Sequence, residues 1–424
     1  MKSTLAALTG WNIGSITDSR STSTVTVSSG SEVLSIGGLI GFNNNSPVRP
    51  VEGVAASGAV TVTGTAADNG GTAHVGGLVG ENLGTIAQGA ASGDVYVFAG
   101  LTQFSVGGFA GANNQSESAG ELSSSIASGS VELVSEYGGS VGGFVGENGG
   151  SITDAVATGD VEFAVPLPEA GPLNRAYVGG FAGLNAGIAE RTVARGNVSA
   201  ATSLTNADVG GHTGYNIFAT ILDSYANGDV RLASNVDGTV GGLVGTTAEG
   251  DITNTYASGA VSTLGGGGDS SFALAAGGLI GQNIDDGELA PTTVTASYWD
   301  TVASGQADGG DLTLGFGLTT DQLEATASFF EFAQAQGWNF DAVWAPGAAG
   351  RYPSIYTVDR VVFARPDALE LTYGQTTDAT ATGIVAGGPE LYVFAEVAET
   401  LDTTPVFATL TFSDNLVGAQ TFCC

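Results

Sequence analysis

The chain has 424 residues, with 42 acidic against 10 basic side chains and a formal net charge of -32. A field of that sign repels polyanions, and with Lys2 as the only lysine no basic stripe or RNA-binding motif offsets it, which excludes nucleic acid as a partner. The 68 glycines suggest low complexity, yet 42% hydrophobic residues at regular positions can bury a core, and no run reaches the roughly 18 apolar residues that membrane insertion needs.

From the first residues a short pattern keeps returning, typified by Val75-Gly76-Gly77-Leu78-Val79-Gly80-Glu81-Asn82. Its copies begin at Gly37, Gly76, Gly107, Gly142, Gly179, Gly210, Gly241 and Gly277, with a degraded one at Ala6, at intervals of 31 to 39 residues. Nine copies at that period call for a solenoid, in which the bare unit forms one coil and the longer intervals carry surface loops. Residues 1 to 30 lack the basic start and apolar run of a signal peptide, and because Met1 falls inside a repeat the chain reads as an excerpt of a larger protein, so the missing signal says little about location. Cys423 and Cys424 are the only cysteines and are adjacent, so stacking rather than a disulfide framework has to supply stability.

Each unit has two halves. In the glycine half, the position before Gly-Gly holds Ile36, Val75, Val106, Val141, Val178, Val209, Val240 and Ala276, an apolar β column. The large residue after it is Leu39, Leu78, Phe109, Phe144, Phe181, His212, Leu243 or Leu279. Strict alternation puts the two columns on opposite faces, so either the glycines form a bulge that turns both inward, the favoured reading, or the large residue covers a second surface. The motif ends in Asn12, Asn43, Asn82, Asn113, Asn148, Asn185, Asn216 and Asn283, interrupted by Thr247, and stacked amides at strand spacing can hydrogen-bond from coil to coil. A row of ligand-binding amides is the alternative.

The second half is typified by Ala226-Asn227-Gly228-Asp229-Val230, a turn followed by a strand. After the valine comes a column without common character, Thr61, Tyr96, Glu132, Glu162, Ser199, Arg231 and Ser262, and then a mostly apolar one, Val62, Val97, Leu133, Phe163, Ala200, Leu232 and Thr263. Period two marks a half-buried strand with the first column in water. The reading is an all-β, right-handed parallel β-solenoid over residues 1–300, about nine coils of roughly three short strands, on the order of 40 Å long at ~4.8 Å per coil.

Past Ser297-Tyr298-Trp299-Asp300 and a glycine-rich connector, Thr319, Thr320 or Asp321 can cap a helix whose apolar contacts come from Leu323, Phe329, Phe330 and Phe332 and which Gly337 ends. With Trp338, Phe340, Trp344 and Tyr352, residues 301–360 read as a segment with one short helix that caps the last coil. Residues 361–424 read as a small, truncated β module, with strands at Val361-Val362-Phe363, Leu369 to Tyr373, Leu391 to Phe394 and Phe407 to Phe412.

On these residues the repeats resemble the GLUG motif of bacterial secreted and surface proteins, including filamentous-haemagglutinin-like adhesins. Gly317 to Leu323, Gly337 to Trp344 and Arg351-Tyr352-Pro353 are similar to the segment that closes such arrays. The resemblance implies an extracellular β-solenoid used in adhesion or as a stalk, and it carries over no catalytic residue.

The residues themselves offer little for catalysis. His74 and His212 are the only histidines, which leaves no cluster for zinc, and no Gly-x-Ser-x-Gly elbow or P-loop Lys-Ser/Thr occurs. Oxygen-rich loops at Asp285, Asp286 and Glu288, and at Asp308 and Asp311, suit weak calcium binding without EF-hand or nonapeptide spacing; no other cofactor is implied. The expectation is a secreted or surface-bound spacer or adhesin, not an enzyme, which meets a glycan or protein of a host or neighbouring cell through loops at 44–53, 64–74, 164–176 and 264–272. The rivals are a polysaccharide-acting β-helix, which would use outer carboxylates such as Glu132 and Glu162, and an ice-binding face, which the mixed outer column does not favour.

Overall fold

The computed structural model describes residues 3–28, 33–45, 48–64, 72–99, 103–114, 120–135, 138–165, 175–202, 206–234, 237–265, 274–285, 287, 291–310, 315–348, 350–359, 363–365 and 383–385. The chain divides into two compact units, Met1–Leu318 and Thr319–Cys424.

The first unit is a parallel β-solenoid whose strands form four sheets, A to D. In the third coil the chain runs through Thr72–Gly76 in sheet A, Val79–Asn82 in sheet B, the segments Thr85–Ala87 and Ala90–Ala91 in sheet C, and Val95–Ala99 in sheet D. Among the described residues sheets A and B have nine strands each and sheet D has eight, so the nine motif copies are nine coils. Each strand pairs with its equivalent one coil away in the motif register, as in Val75 with Val106 and Asn82 with Asn113. Four sheets take the place of three strands per coil because the segment between the asparagine and the second-half turn is itself strand, as in Thr85–Ala87 and Ala90–Ala91. It bends once, at a residue in the left-handed region: Asp18, Gln88, Ser124, Asp154, Arg191, Asp223, Asn254 and Ala296, all with φ between 47° and 54°, and Gly53 in the second coil.

The glycine pair is a corner rather than a bulge. Leu78, Val79, Ile86 and Ala91 belong to one apolar core, between sheets B and C. Ala73, Val75, Val95 and Val97 belong to another, between sheets A and D. The columns before and after Gly-Gly therefore enter different cores, and the second of the two sequence alternatives holds. Sheets A and B form an arch whose inner contact is backbone on backbone. A Cβ on Gly76 would lie 2.0 Å from the Val79 carbonyl oxygen, and one on Gly80 would lie 2.4 Å from the Ile36 nitrogen. No side chain fits there, which is why glycine recurs. The layers run D, A, B, C, and the arch tip faces the turn between C and D, where a Cβ on Gly180 would meet Ala194 Cβ and Val198 Cγ2 at 3.2 Å.

Within sheet D the alternation is as the columns suggest. Val60, Val62, Val95, Val97, Leu133 and Phe163 are buried, whereas Glu162, Arg231 and Ser262 are exposed. Identical rings stack at coil spacing: Phe109 on Phe144 at 4.7 Å, Phe144 on Phe181 at 4.9 Å, and Tyr225 on Tyr256 at 4.8 Å.

The solenoid closes itself within the first unit, later than residue 300. Phe316–Leu318 adds a last parallel rung to Tyr298–Asp300 in sheet C. The Gly309 carbonyl accepts from Leu279 N–H at 3.2 Å and Ile280 N–H at 3.0 Å, the position that the Leu279 carbonyl takes for Leu243 and Val244 one coil earlier.

Among its described residues the second unit has three short helices, where one was expected over 301–360: α1 (Thr320–Leu323), α2 (Thr326–Ala335) and α3 (Tyr356–Asp359). Thr319 caps α1 in a reciprocal box with Gln322. Helix α2 ends before Gly337, whose φ is +108°. Its aromatic cluster places Trp338 on Trp344 at 4.2 Å and edge-on to Phe329 at 5.4 Å. Of the expected β module, Phe363–Arg365 and Gly383–Val385 pair antiparallel; the strands expected at 369–373, 391–394 and 407–412, and both cysteines, lie outside the described residues.

Candidate functional site

The asparagine column lies at the exit of sheet B, where its amides are buried and form a coil-to-coil chain. Nδ2 of Asn12 donates to Oδ1 of Asn43 at 2.8 Å, and the same bond joins Asn43 to Asn82, Asn82 to Asn113, Asn113 to Asn148, Asn148 to Asn185 and Asn185 to Asn216, all within 2.8–2.9 Å. The second amide hydrogen goes to the following turn in some coils, as in Asn82 to the Gly84 carbonyl at 2.8 Å, and to the next coil in others, as in Asn148 to the Ile188 carbonyl at 3.2 Å, while Asn82 Oδ1 also accepts the Gly84 N–H. The chain stops at Thr247, where neither Thr247 Oγ1 nor Asn283 Oδ1 has a hydrogen-bond partner. Amides used in this way join coils and have no hydrogen left for a ligand.

A second polar row was not legible in the motif. Beyond the glycine contact, the position two before Gly-Gly in sheet A faces the position before the asparagine in sheet B. Ser35 Oγ donates to Glu81 Oε2 at 3.0 Å, and Asn114 Nδ2 donates to Glu81 Oε1 at 3.2 Å. Ser105 Oγ donates to Glu147 Oε2 at 3.3 Å. Further along, Tyr177 stacks on Tyr215 at 5.1 Å, and Thr239 Oγ1 donates to Asp208 Oδ1 at 2.9 Å while lying 2.8 Å from Thr246 Oγ1. Arg175 Nη1 is 3.5 Å from Asp208 Oδ2. Burial raises the Asp208 carboxyl above the usual carboxylate range against the pull of Arg175 and the two threonine hydroxyls. Burial also raises the Tyr177 and Tyr215 phenols, helped by Asp208 and Tyr177 respectively. His74 occupies this seam, and His212 the core column of leucines and phenylalanines. Two carboxylates, Glu81 and Asp208, are thus buried where they hold sheet against sheet. Serine or threonine opposite an acid was the available signal, but the row changes character in every coil.

The calcium candidates do not converge among the described residues. Asp285 is exposed and accepts the Gly287 N–H at 3.0 Å; Asp286 and Glu288 lie outside the described residues. Asp308 is exposed and accepts the Gly310 N–H at 3.2 Å, and Asp311 is again outside. Of the four loops, residues 46–47, 65–71, 166–174 and 266–272 are outside the described residues, while Thr72–Gly76 is strand and Val51 is core. On the outer face of sheet D, Glu132 and Glu162 are neighbours in adjacent coils, and partial burial followed by repulsion from Glu162 raises the Glu132 carboxyl. No helix among the described residues is long and apolar enough to cross a membrane.

The family model described as the GLUG motif matches residues 137–162, the span of one coil from sheet A into sheet D. A protein of Evansella cellulosilytica named "Putative Gly-rich membrane protein" is 34% identical over 129 residues, which is 30% of this chain and 13% of the relative. The chain thus spans a small part of that relative's length. No solved structure matches.

Proposed function

From a β-solenoid repeat protein that carries the GLUG motif, we propose an extracellular structural role at a bacterial surface, spacing or presenting other parts rather than catalysing. The observation that carries this reading is the unbroken amide chain from Asn12 to Asn216, which with the two continuous cores commits the inner residues of seven successive coils to holding one another. Such an array gives reach and an extended lateral surface, the usual service of a solenoid. The name of the relative, a membrane protein, is consistent with a place at the cell envelope. Adhesion to a glycan or protein of a host or neighbouring cell follows as the way the lateral surface is used.

Antibody raised against residues 1–318 is expected to label intact cells of the source bacterium and to lose that label after brief external proteolysis. Labelling that requires permeabilisation overturns the proposal. The rival reading, a polysaccharide-acting β-helix, draws on the Glu132 and Glu162 pair. Reducing-end release from acidic or neutral polysaccharides that disappears in Glu132→Gln would establish it, and none above a heat-denatured control is expected.

A further inference from the structure

The turn from sheet B into sheet C is longer in two coils than the fold requires. From Asn82 to Thr85, Asn148 to Ser151 and Asn185 to Ile188 the chain takes three steps, but from Asn216 to Thr220 and from Thr247 to Asp251 it takes four. The extra length sets Phe218 beside Glu249 in adjacent coils, with Phe218 N–H donating to the Ala248 carbonyl at 3.1 Å. Both residues hold left-handed backbone, at φ 51° and 54°. For a phenylalanine this conformation is strained, and packing does not compensate it: Phe218 is 61% exposed, more than any other phenylalanine among the described residues. Since shorter turns close three other coils, the strain serves something besides the fold.

Phe218 adjoins a cluster that the other coils do not repeat. Tyr177 and Tyr215, both half-buried, stack at 5.1 Å, and the Arg175 side chain is 42% exposed while its Nη1 holds the buried Asp208 at 3.5 Å. Burial and Tyr177 raise the Tyr215 phenol, Arg175 pulls it down, and Asp208 and Glu249 raise it again, so all four groups lie within electrostatic reach of it. The third to fifth coils have Glu81, Ala112 and Glu147 where the seventh has Tyr215. We propose that Arg175, Tyr177, Tyr215, Phe218 and Glu249 form a binding site for a neutral saccharide. Aromatic rings offer apolar surface to the C–H side of a pyranose, and the guanidinium and carboxylate supply the donors and acceptors that its hydroxyls pair with. The cluster spans the sixth to eighth coils, two spacings of ~4.8 Å, which suits one or two sugar rings and falls far short of the ~800 Å² per partner of a stable protein interface. The net charge of -32 turns acidic glycans away. The site deepens the surface role proposed above, on which it rests, by naming what the lateral surface meets.

The test is affinity electrophoresis of the full 424-residue chain in native gels that contain β-glucan, mannan, galactan or xylan, with polygalacturonate as the acidic probe. Retardation by at least one neutral polymer is expected, and more strongly than by polygalacturonate. Phe218→Gly, which removes the ring and suits the left-handed backbone, is expected to weaken that binding about tenfold without lowering the thermal midpoint, and Arg175→Gln to weaken it by a similar factor. Phe98→Ala, a change at a site 47% exposed on sheet D, is expected to retain parental binding. No retardation by any neutral polymer, retardation by polygalacturonate as strong or stronger, or parental binding by Phe218→Gly overturns the proposal. Binding to bacterial cells that survives periodate oxidation of their glycans but not trypsin, and that Phe218→Gly abolishes, also overturns it, in favour of a protein partner. Antibody labelling of intact cells reads location alone, so the surface role and the saccharide site can fail separately.

Discussion

The imidazole of His212 stacks on the ring of Phe181, with centroids 4.9 Å apart and planes 17° from parallel, so it takes a place in a phenylalanine column. Its Nε2 is 2.9 Å from Thr192 Oγ1 and its Nδ1 is 2.9 Å from Thr213 Oγ1. Full burial lowers its pKa from 6.5 to about 3. The folded chain therefore keeps the ring neutral while the unfolded chain protonates it near pH 6.5, so the contribution is complete above that pH and is lost as pH falls toward 3. The full loss is on the order of 5 kcal/mol. The double variant His212→Phe/Thr213→Val, which copies the Phe144-Val145 pair, is expected to flatten that part of the pH dependence in urea unfolding relative to the parent. Parallel curves for the two proteins contradict this.

Glycine at the arch is a packing requirement. A Cβ on Gly111 would lie 2.4 Å from Val75 N and 2.5 Å from the Gly80 oxygen, both backbone atoms that cannot step aside without parting two sheets. Gly111→Ala is expected to cost at least about 3 kcal/mol. Gly14→Ala, whose nearest neighbour would be Asn12 Oδ1 at 3.8 Å, should be close to neutral. Comparable thermal midpoints for both variants count against a backbone-on-backbone arch.

The interruption at Thr247 offers a stabilising change. Thr247→Asn restores an amide between Asn216 and Asn283 and satisfies the Asn283 Oδ1 that now lacks a partner, worth about 1–2 kcal/mol in equilibrium unfolding. Asn148→Ala, which removes the bonds to Asn113 and Asn185, is expected to cost about 2–3 kcal/mol. If Thr247→Asn destabilises, the column is not a continuous amide chain through that coil.

Sheet C bends at a left-handed residue in every coil, and the exposed Gln88 has φ +53° there. Holding a side chain in that region costs about 1–2 kcal/mol, partly offset by the extra entropy glycine gives the unfolded chain. Gln88→Gly is thus expected to stabilise by about 0.5–1 kcal/mol and Gly53→Gln to destabilise by a similar amount. Unfolding midpoints that move in the same direction refute this corner.

What the sequence discloses and what it hides follow from periodicity. Val60 and Val62 beside Thr61 announce sheet D because apolar and polar columns alternate through seven coils. The asparagines announce a stacked row because the same amide returns at the same place. The left-handed corner stayed hidden because Asp18, Gln88, Ser124, Asp154 and Arg191 share no chemistry; their common feature is a backbone angle. The seam between sheets A and B stayed hidden for a related reason. Ser35 and Glu81 meet because glycines let two backbones touch, a tertiary distance that pairs residues 46 positions apart. The glycine pair itself was visible, but whether it bulges or turns a corner depends on which core each neighbour enters.

The central claim, that the motif winds the chain into coils stacked one strand apart, is tested most directly by electron-spin distances along the outer column of sheet D. With Cys423 and Cys424 changed to serine, labels placed in pairs at Thr61 with Glu162, Arg231 or Ser262 span three, five and six coils. Separations rising linearly, at about 14, 24 and 29 Å for backbone positions, are expected from a spacing of ~4.8 Å per coil. Distances that do not grow in proportion to coil number contradict the stacked architecture.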